Sequence, residues 1–315
     1  MSSSHAGRSY QVRPAGHPPE ADPLRHITMS TSGYQELRTG AAVGAVASRA
    51  QLAVAGRDRA AFLQGLLTND IPALPAGSGC YAAWLTAQGR MLTDLHVFQS
   101  DDLILLDVPA EEADATLQRL DQFLFSEDVR LGSLAGSMTG VWIHGPAAPG
   151  LLELVLDGQA GLAGWSAYQH ARTAFGDTPV SVARVDQLGV PGFCVYLPPE
   201  RERALVDALQ GTGAAVAAPE AIAAARIEAG YPVFGRDMTH DTIPLEAGIE
   251  GRAISFTKGC YVGQEVVIRV LHRGHGRVAR RLVGLSFDAA TVEPGARLFS
   301  ADREIGHVTS AAVSP

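Results

Sequence analysis

The sequence predicts a protein of the α+β class, and two observations lead to that prediction. Short apolar runs bounded by Gly and Pro alternate with longer runs of helical periodicity, as strands and helices do when they are mixed along one chain. No GxGxxG motif follows a predicted strand, so the sequence does not indicate a dinucleotide-binding sheet. Because 46 % of the 315 residues are hydrophobic and only 18 % are charged, we expect a folded core and two or three domains.

The first half of the chain is predicted to form one sheet with helices packed on it. Asp58 stands where the N-cap of a helix belongs, directly after an apolar run. Gln88-Gly89 separates two strand-like runs and therefore predicts a β-hairpin, which carries Asp94 on its second strand. The elements expected here are strands at 41–54, 80–86, 91–98 and 103–108, a helix after Asp58, and a helix at 109–125.

The second half repeats this mixture and then changes to short strands. Pro219 stands at a first-turn position, and Gly230 ends the helix that it begins. After Gly276 the apolar runs become short, which indicates a small β-domain. The elements expected here are strands at 141–144, 180–185, 193–197, 281–287, 296–300 and 305–310, and helices at 149–156, 200–209 and 219–229.

Composition excludes several classes of function. There are 25 Lys and Arg against 33 Asp and Glu, and a net charge of −8 argues against general nucleic-acid binding, which needs an excess of cations. Cys80, Cys194 and Cys260 have no CxxC spacing, so we expect neither a disulfide scaffold nor an all-cysteine metal site. No run approaches the roughly 20 apolar residues of a membrane-spanning helix, and no apolar export segment precedes Met29. We therefore expect a cytoplasmic protein with no membrane insertion.

Segment 258–265 has the densest concentration of reactive residue types. Extended backbone would place the side chains of Lys258 and Cys260 on one face. A nearby cation favours the thiolate, which is the form that attacks, binds metal or is oxidised. The alternative is structural, because a single cysteine is more often a small buried hydrophobe and 266–270 is typical of a buried strand. Spacing alone favours the structural interpretation.

Three other polar features leave a functional and a structural interpretation open. The basic stretch from Arg269 to Arg281 would hold an anion, or would be a solvated face that pairs with the acidic surplus. Asp94 would be buried and suited to proton transfer, or would lie on the polar side of a sheet edge. Arg226 and Glu228 would contact a substrate or, more commonly, form ion pairs with neighbouring elements.

Five motifs add a family resemblance to these patterns. They are FLQGLLTND at 62–70, GRMLTD at 89–94, RIEAG at 226–230, PLE at 244–246 and KGCYVGQE at 258–265. Together they resemble the superfamily of folate-binding aminomethyltransferases, the T-proteins of glycine cleavage, over most of the chain from about Leu52. The last motif is similar to the complete KGCYxGQE signature of the YgfZ-type branch, which is implicated in iron-sulfur cluster assembly or repair. The resemblance raises the reactive-cysteine interpretation above the structural one.

The resemblance implies a three-part ring around a central hole in which tetrahydrofolate is expected, closed by a β-barrel. The regions expected are a disordered extension at 1–33, a first, folate-binding α+β domain at 34–135 and 220–275, a second α+β domain at 136–219, and a C-terminal β-barrel portion at 276–315. The family's barrel is longer, so we expect the end at Pro315 to truncate it and to expose a sheet edge.

The resemblance also assigns roles to individual residues. Aminomethyltransferases bind the pterin through a glutamate, and the counterpart here is Val190, which cannot accept a hydrogen bond. Asp186 or another nearby group must replace it, or folate is bound differently, weakly or not at all. The catalytic residues implied are Cys260, Lys258 and Asp94, and the cofactor-binding residues implied are Asp94, Asp186, Arg226, Glu228 and Tyr261.

Three functions follow from these expectations. The leading hypothesis is a tetrahydrofolate-binding protein that supports synthesis or repair of iron-sulfur clusters in client enzymes, with Cys260 kept ionised by Lys258. No resident metal is expected, because one thiol cannot hold a cluster and Cys260 would share any cluster with a partner. The first alternative is a tetrahydrofolate-dependent aminomethyltransferase in which Asp94 aids proton placement. The second is an RNA-modification accessory or scaffold that docks a partner through the arginines from Arg269 onward.

Overall fold

Within the residues described by this computed structural model, 11–13, 31–274, 276–287 and 292–315, three β-sheets organise the fold. The strands are β1 (Gln11–Arg13), β2 (Ala42–Val43), β3 (Arg49–Ala55), β4 (Ser78–Leu85), β5 (Met91–Gln99), β6 (Leu103–Pro109), β7 (Arg130–Ser133), β8 (Thr139–His144), β9 (His170–Phe175), β10 (Thr178–Arg184), β11 (Gly192–Leu197), β12 (Ala215–Val216), β13 (Arg297–Ser300) and β14 (Arg303–His307). The helices are α1 (Tyr34–Thr39), α2 (Arg59–Gln64), α3 (Ala113–Asp121), α4 (Ala148–Val155), α5 (Glu202–Gly211), α6 (Pro219–Glu228), α7 (Pro244–Ala247), α8 (Glu250–Ala253) and α9 (Gln264–His272).

The two larger sheets pack face to face. The first has the strand order β4-β5-β6-β3-β7, and the second has the order β12-β2-β8-β11-β10-β9, in which only the β12 and β2 pair is parallel. Phe98 and Leu105 of the first sheet share one buried cluster with Trp142, Cys194 and Tyr196 of the second. On their other faces, helices α2 and α3 cover the first sheet, while α4 and α5 cover the second. Helices and strands are thus mixed as the α+β prediction requires.

The predicted β-hairpin is confirmed as β4 and β5. The Thr86 N–H donates to Arg90 O across the turn at 2.8 Å. Gly89 has φ +75°, and a Cβ atom there would lie 2.8 Å from the Val266 side chain, so this turn needs glycine both for its backbone and for its contact with α9. Asp94 lies in the middle of β5, opposite Ala83 of β4.

The C-terminal region is the largest correction to the predicted fold. In the described residues β13 pairs with β1 and β14 in a three-stranded sheet, and no closed barrel is formed. The strand predicted at 281–287 is absent from that segment, which is mostly exposed and is tied to α7 by a bond from Leu282 N to Glu246 O. The strand Gln11–Arg13 falls inside the predicted extension at 1–33, and the residues on either side of it, up to 30, lie outside the described part of the chain.

Segment 266–270 is helical, so the expectation of a buried strand there was wrong. Gly263 begins α9 in the left-handed conformation, and Val267 packs in the core while Val270 and Leu271 lie against it at helical spacing. Packing has therefore overridden the strand preference of a β-branched run. Among the described residues, no helix has the length and apolar character that crossing a membrane requires.

Candidate functional site

Two adjoining cavities open where the two large sheets meet the chain after α6. We call the smaller one the Asp94 cavity; it has a volume of about 230 Å³ and is lined by Asp94, Gln187 and Tyr231 among others. The larger one, the Trp142 cavity, has a volume of about 450 Å³ and is lined by Gln51, Trp142 and Arg226 among others. The residues shared by both linings are Val46, Ala47, Ser48, Arg49 and Arg236. Because the two cavities share this wall, we treat them together as one candidate site.

Asp94 is buried and presents one carboxylate oxygen without a hydrogen-bond partner. Its Oδ2 accepts a bond of 2.7 Å from the Tyr81 hydroxyl. Burial, followed by the negative charge of Asp94, raises the pKa of Tyr81 well above its ordinary value, so the phenol keeps its proton and donates. The Oδ1 atom is 3.6 Å from an Arg49 nitrogen, which is beyond hydrogen-bond length, and it has no other partner in the described structure. A cavity-lining acceptor is thus left for a ligand.

A network of buried charges fixes the wall beside Asp94. Asp107 accepts bonds from Arg49 Nε at 2.7 Å and from Gln51 Nε2 at 2.9 Å, and it lies 2.9 Å from His96 Nδ1. Burial acts to raise the pKa of Asp107, but the charge of Arg49 and these hydrogen bonds outweigh burial, so the pKa is lowered. Burial and Arg49 lower the pKa of His96, which is therefore neutral and donates through Nδ1. Sequence reasoning missed Arg49, Asp107 and Gln51.

Gln187 is a second candidate residue that sequence reasoning missed. It is only 4 % exposed, it lines the Asp94 cavity, and its Oε1 has no hydrogen-bond partner among the described residues. A buried amide oxygen without a donor costs free energy, so this oxygen of a cavity-lining residue is a candidate acceptor for a ligand. The only signal in the sequence was its position next to Asp186, in the loop where a pterin acceptor was sought.

Asp186 has a structural environment in this loop. Its carboxylate accepts a bond of 2.9 Å from Gly192 N and pairs with Arg184 at 3.1 Å. Both contacts hold the turn that joins β10 to β11, and Asp186 is in the lining of neither cavity, whereas its neighbour Gln187 is. Val190 packs against the apolar cluster that contains α1 and α6.

Arg226 and Glu228 form the ion pairs that the structural interpretation described. Arg226 is buried, donates to Asp237 at 2.7 Å and also lines the Trp142 cavity. Glu228 pairs with Arg38 and accepts a bond of 2.6 Å from Tyr34, while Ser314 donates to its other oxygen at 2.5 Å. Glu228 therefore connects α1 to the segment around Ser314 and lies outside the lining of the two cavities.

Lys258, the single lysine of the sequence, is enclosed by backbone carbonyls. Its Nζ donates to the carbonyls of Gln64, Leu67 and Asn69 at 2.8, 2.6 and 2.8 Å. These groups end α2 and begin the following turn, so the ammonium satisfies carbonyls that a helix end leaves free. Burial lowers the pKa of Lys258 to about 8, while the charge of Asp70 acts in the opposite direction.

The expected pairing of Lys258 with Cys260 is not formed. Lys258 is buried and its three N–H groups point to carbonyls, whereas Cys260 is exposed. The backbone bends at 256–258, so the extended geometry that would align the two side chains is absent. Tyr261 is buried against the Lys258 ammonium, 5.1 Å from Nζ to the ring centre, and lines neither cavity. Lys258 and Tyr261 anchor what we call the Cys260 loop, residues 258–263, and the thiol points outward.

The Cys260 loop is locked to the hairpin that carries Asp94. Gly263 has φ +85°, and a Cβ atom there would lie 2.5 Å from Thr86 O and 3.3 Å from the Gly89 Cα. Val262 N also donates to Gly65 O at 3.1 Å. Three of the sequence motifs, at 62–70, 89–94 and 258–265, are thus in direct contact, although Cys260 itself lines neither cavity.

Among the described residues of the basic stretch from Arg269 to Arg281, one arginine has side-chain partners elsewhere in the fold. Arg280 pairs with Glu246 at 3.5 Å and donates to Asp241 O at 2.7 Å. His275 lies outside the described residues. The remaining arginines of the stretch are exposed, as a solvated face would have them.

Comparison with known proteins identifies the family. The model of the GCVT N-terminal domain matches residues 10–258. This chain belongs to the GCVT N-terminal domain family. It is 27 % identical over 288 residues to an aminomethyltransferase of Lysinibacillus sphaericus, with 90 % of this chain and 77 % of the relative covered. It is 29 % identical over 300 residues to an aminomethyltransferase of Streptomyces coelicolor, with 93 % and 80 % covered.

A solved structure supports the same assignment. The glycine cleavage system aminomethyltransferase T from Bartonella henselae superimposes with a TM-score of 0.77 and 25 % identity, covering 88 % of this chain and 76 % of that one. The predicted superfamily is therefore confirmed, while its YgfZ-type branch stays a prediction. Among the three functions predicted from the sequence, these relatives favour the aminomethyltransferase alternative over the leading iron-sulfur hypothesis.

Proposed function

We propose that this chain is a tetrahydrofolate-binding protein of the aminomethyltransferase type, with the pteridine ring of the folate in the Asp94 cavity. The observation that carries this proposal is the buried and unpartnered Oδ1 of Asp94, a residue that lines a cavity in a protein of this family. The pteridine ring of tetrahydrofolate offers N–H donors, which such an acceptor would satisfy.

The residues present fit a folate. Taken together, the two adjoining cavities have a volume within the range of about 300 to 1,000 Å³ that is usual for small-molecule sites. Asp94 and Gln187 supply acceptors for the ring, and the shared wall contributes the cations Arg49 and Arg236. A folate carries both N–H donors and carboxylates, so each group of this lining has a complementary group on the ligand.

Tetrahydrofolate, when bound, would supply the nitrogen atoms that accept a one-carbon unit. The protein's part is to orient the ring and to control the protons around it. Tyr81, which keeps its proton, fixes one oxygen of Asp94 and leaves the other oxygen without a partner among the described residues. The ion pair between Arg49 and Asp107 joins β3 to β6 in the same sheet that carries Asp94. Asp94 is thereby a positioned acceptor for a proton or an N–H group at the ring.

Binding and transfer can be measured separately. Tetrahydrofolate binding to the wild-type chain and to Asp94→Asn tests the site, and we expect the variant to bind about tenfold more weakly, because the amide replaces one acceptor with a donor. Formation of methylene-tetrahydrofolate from an aminomethylated lipoyl carrier tests the reaction. Asp207→Asn, an exposed carboxylate on α5, is the control and should leave both measurements unchanged. Wild-type protein that binds no folate would contradict the proposal.

The iron-sulfur function is the second candidate, and the exposure of Cys260 favours it. Both other cysteines are buried, so Cys260 is the thiol that a partner can reach. The KGCYVGQE motif surrounds it, and Val190 stands where an aminomethyltransferase would have its pterin glutamate. In the described residues, no group of three His, Cys, Asp or Glu side chains is arranged to hold a metal, so client or assembly proteins would have to supply the other ligands of any cluster.

Activity of iron-sulfur enzymes in cells separates the two candidates. Cells that carry Cys260→Ser should lose client activity if the second candidate is correct, while transfer to tetrahydrofolate in vitro should persist. Cys80→Ser is the matched control, since that thiol is buried. Full client activity with Cys260→Ser would remove the thiol from the mechanism. A cytoplasmic location is part of both proposals, and the RNA-accessory alternative has only the exposed arginines from Arg269 onward in its support.

A further inference from the structure

We propose that Gln187 and Arg236 bind opposite ends of one ligand: Gln187 takes an N–H group of its ring, and Arg236 takes its anionic tail. This inference rests on the proposed function, and it deepens it by setting the direction in which a folate lies across the two cavities. Two independent observations in the described residues carry it: a buried amide oxygen without a partner in the lining of one cavity, and a cation without an ion pair on the wall that both cavities share.

Gln187 marks the ring end. Its Oε1 is buried without a donor, and it lines the Asp94 cavity but not the Trp142 cavity. Asp94 lines the same cavity, and its Oδ1 is likewise buried without a hydrogen-bond partner among the described residues. With the unpartnered Tyr231 hydroxyl they make three buried polar groups in this lining, and a ligand with N–H donors would satisfy the two acceptors, each of which costs about 1 to 3 kcal/mol if it stays unpaired. A ring that bears N–H groups has such donors, and a carboxylate does not.

Arg236 marks the anionic end. It lines both cavities, and in the part of the chain that the structure describes its guanidinium contacts no carboxylate. The other cation on the shared wall, Arg49, is already paired with Asp107. Arg226 of the Trp142 cavity is likewise paired, with Asp237. Arg236 is therefore the cation of this lining that remains available to a ligand carboxylate.

A tight turn holds Arg236 at this position. Gly235 has φ +86°, and its N–H donates to Met238 O at 2.7 Å. Asp237, the next residue, accepts from Val233 N at 3.0 Å and from Thr309 at 2.7 Å, so both sides of Arg236 are fixed. A cation on a fixed turn loses little backbone entropy when it binds, which suits it to selecting a tail of defined charge.

The test uses two ligands that differ only in the tail: tetrahydrofolate, and a tetrahydropterin that lacks the aminobenzoyl-glutamate. Arg236→Gln should weaken tetrahydrofolate binding about tenfold and leave binding of the tail-less pterin unchanged. Gln187→Met should weaken both ligands by a similar factor, and Gln187→Glu, which keeps an acceptor, should retain them. Arg203→Gln removes an exposed arginine of α5 and should change neither dissociation constant. Circular dichroism melts verify that each variant is folded.

The outcomes separate the inference from the function beneath it. If wild-type protein binds neither ligand, the proposed function fails. If it binds tetrahydrofolate but Arg236→Gln weakens both ligands equally or neither, the function stands and the tail assignment is overturned. If Gln187→Met binds both ligands as wild type does, the ring assignment is overturned.

Discussion

The Asp94 cavity and the Cys260 loop use burial in opposite ways. In the cavity wall, charged and polar groups are buried, and three polar atoms are left without a hydrogen-bond partner among the described residues: Asp94 Oδ1, Gln187 Oε1 and the Tyr231 hydroxyl. In the loop, the charged group is buried with all three donors satisfied, and the reactive group is exposed. The cavity is therefore arranged to receive a ligand that satisfies it, whereas the loop is complete in itself and presents a thiol to something outside.

The comparison also changes the role of Lys258. An ammonium has three donors on one compact atom and can face three converging carbonyls, which a planar guanidinium cannot do. This accounts for lysine at 258 in a chain whose other long cations are all arginine. The role of Lys258 is thus to hold the shape of the loop, and the thiol depends on Lys258 for its position more than for its charge.

The largest expected effect comes from the cavity wall. Asp107→Asn removes the charge that faces Arg49 and His96, and the free energy of unfolding should fall by about 3 to 5 kcal/mol because a buried guanidinium loses the nearer of its two carboxylates. Denaturant unfolding measures this loss. Asp207→Asn breaks an exposed pair with Arg203 and should cost less than about 1 kcal/mol. Equal losses of unfolding free energy in the two variants would mean that the buried Arg49–Asp107 pair stabilises the fold no more than an exposed ion pair does.

Lys258→Met should have the next largest effect. Three carbonyls of the turn after α2 would lose their donor, and the free energy of unfolding should fall by about 3 kcal/mol. Lys258→Arg should recover only part of it. Since Lys258 is the single lysine, acylation of its amine in the wild-type protein should require unfolding, as mass spectrometry can show. Rapid acylation of folded protein, or an unaltered melt of Lys258→Met, would contradict the carbonyl cage.

Sequence reasoning succeeded where the signal was local. The hairpin that carries Asp94 was predicted because strand periodicity and Gln88-Gly89 agree on it. It failed at 266–270, where a short apolar run fits a strand and a helix equally and packing on the core decides. It also failed on the partners of Lys258. The three carbonyls belong to the distant segment 64–69, and because every residue has a backbone carbonyl, no residue type or spacing in the sequence indicates this contact.

The candidate site shows the same division. Motifs led to Asp94, but the neighbours that make it an acceptor are Tyr81 across the hairpin and Arg49 from β3, and these are set by strand pairing. Gln187 belongs to no motif and becomes a candidate only because its amide is buried beside a cavity. Composition and spacing report the types of residue present, whereas an unsatisfied atom is a property of the folded chain.

Lowering the pH should destabilise the folded protein through a buried histidine beside the Trp142 cavity. His144 stacks on Trp142, which lines the larger cavity, and burial lowers the pKa of His144 to about 4. Below pH 6.5 the unfolded chain takes up a proton that the folded chain does not, so stability is lost as the pH falls from 6.5 toward 4. By pH 5 the loss from this residue should be about 2 kcal/mol. His144→Phe should lose correspondingly less stability between pH 7 and pH 5, and an identical pH profile in both proteins would exclude this contribution.

The smallest effect on stability is expected at the thiol. Cys260→Ser should change the free energy of unfolding by less than about 0.5 kcal/mol, because the side chain is exposed. Burial raises the pKa of Cys80 to about 12 and that of Cys194 well above its ordinary value, so both stay protonated and shielded. Alkylation of the folded protein at pH 8 should therefore modify one thiol rapidly, and none in Cys260→Ser. The loop is anchored by Lys258 and Tyr261 and not by the thiol, so Cys260→Ser should be as stable as the wild-type protein. A destabilised Cys260→Ser variant, or rapid labelling of Cys80, would contradict the contrast between the Cys260 loop, whose buried groups are satisfied, and the Asp94 cavity, whose buried acceptors are not.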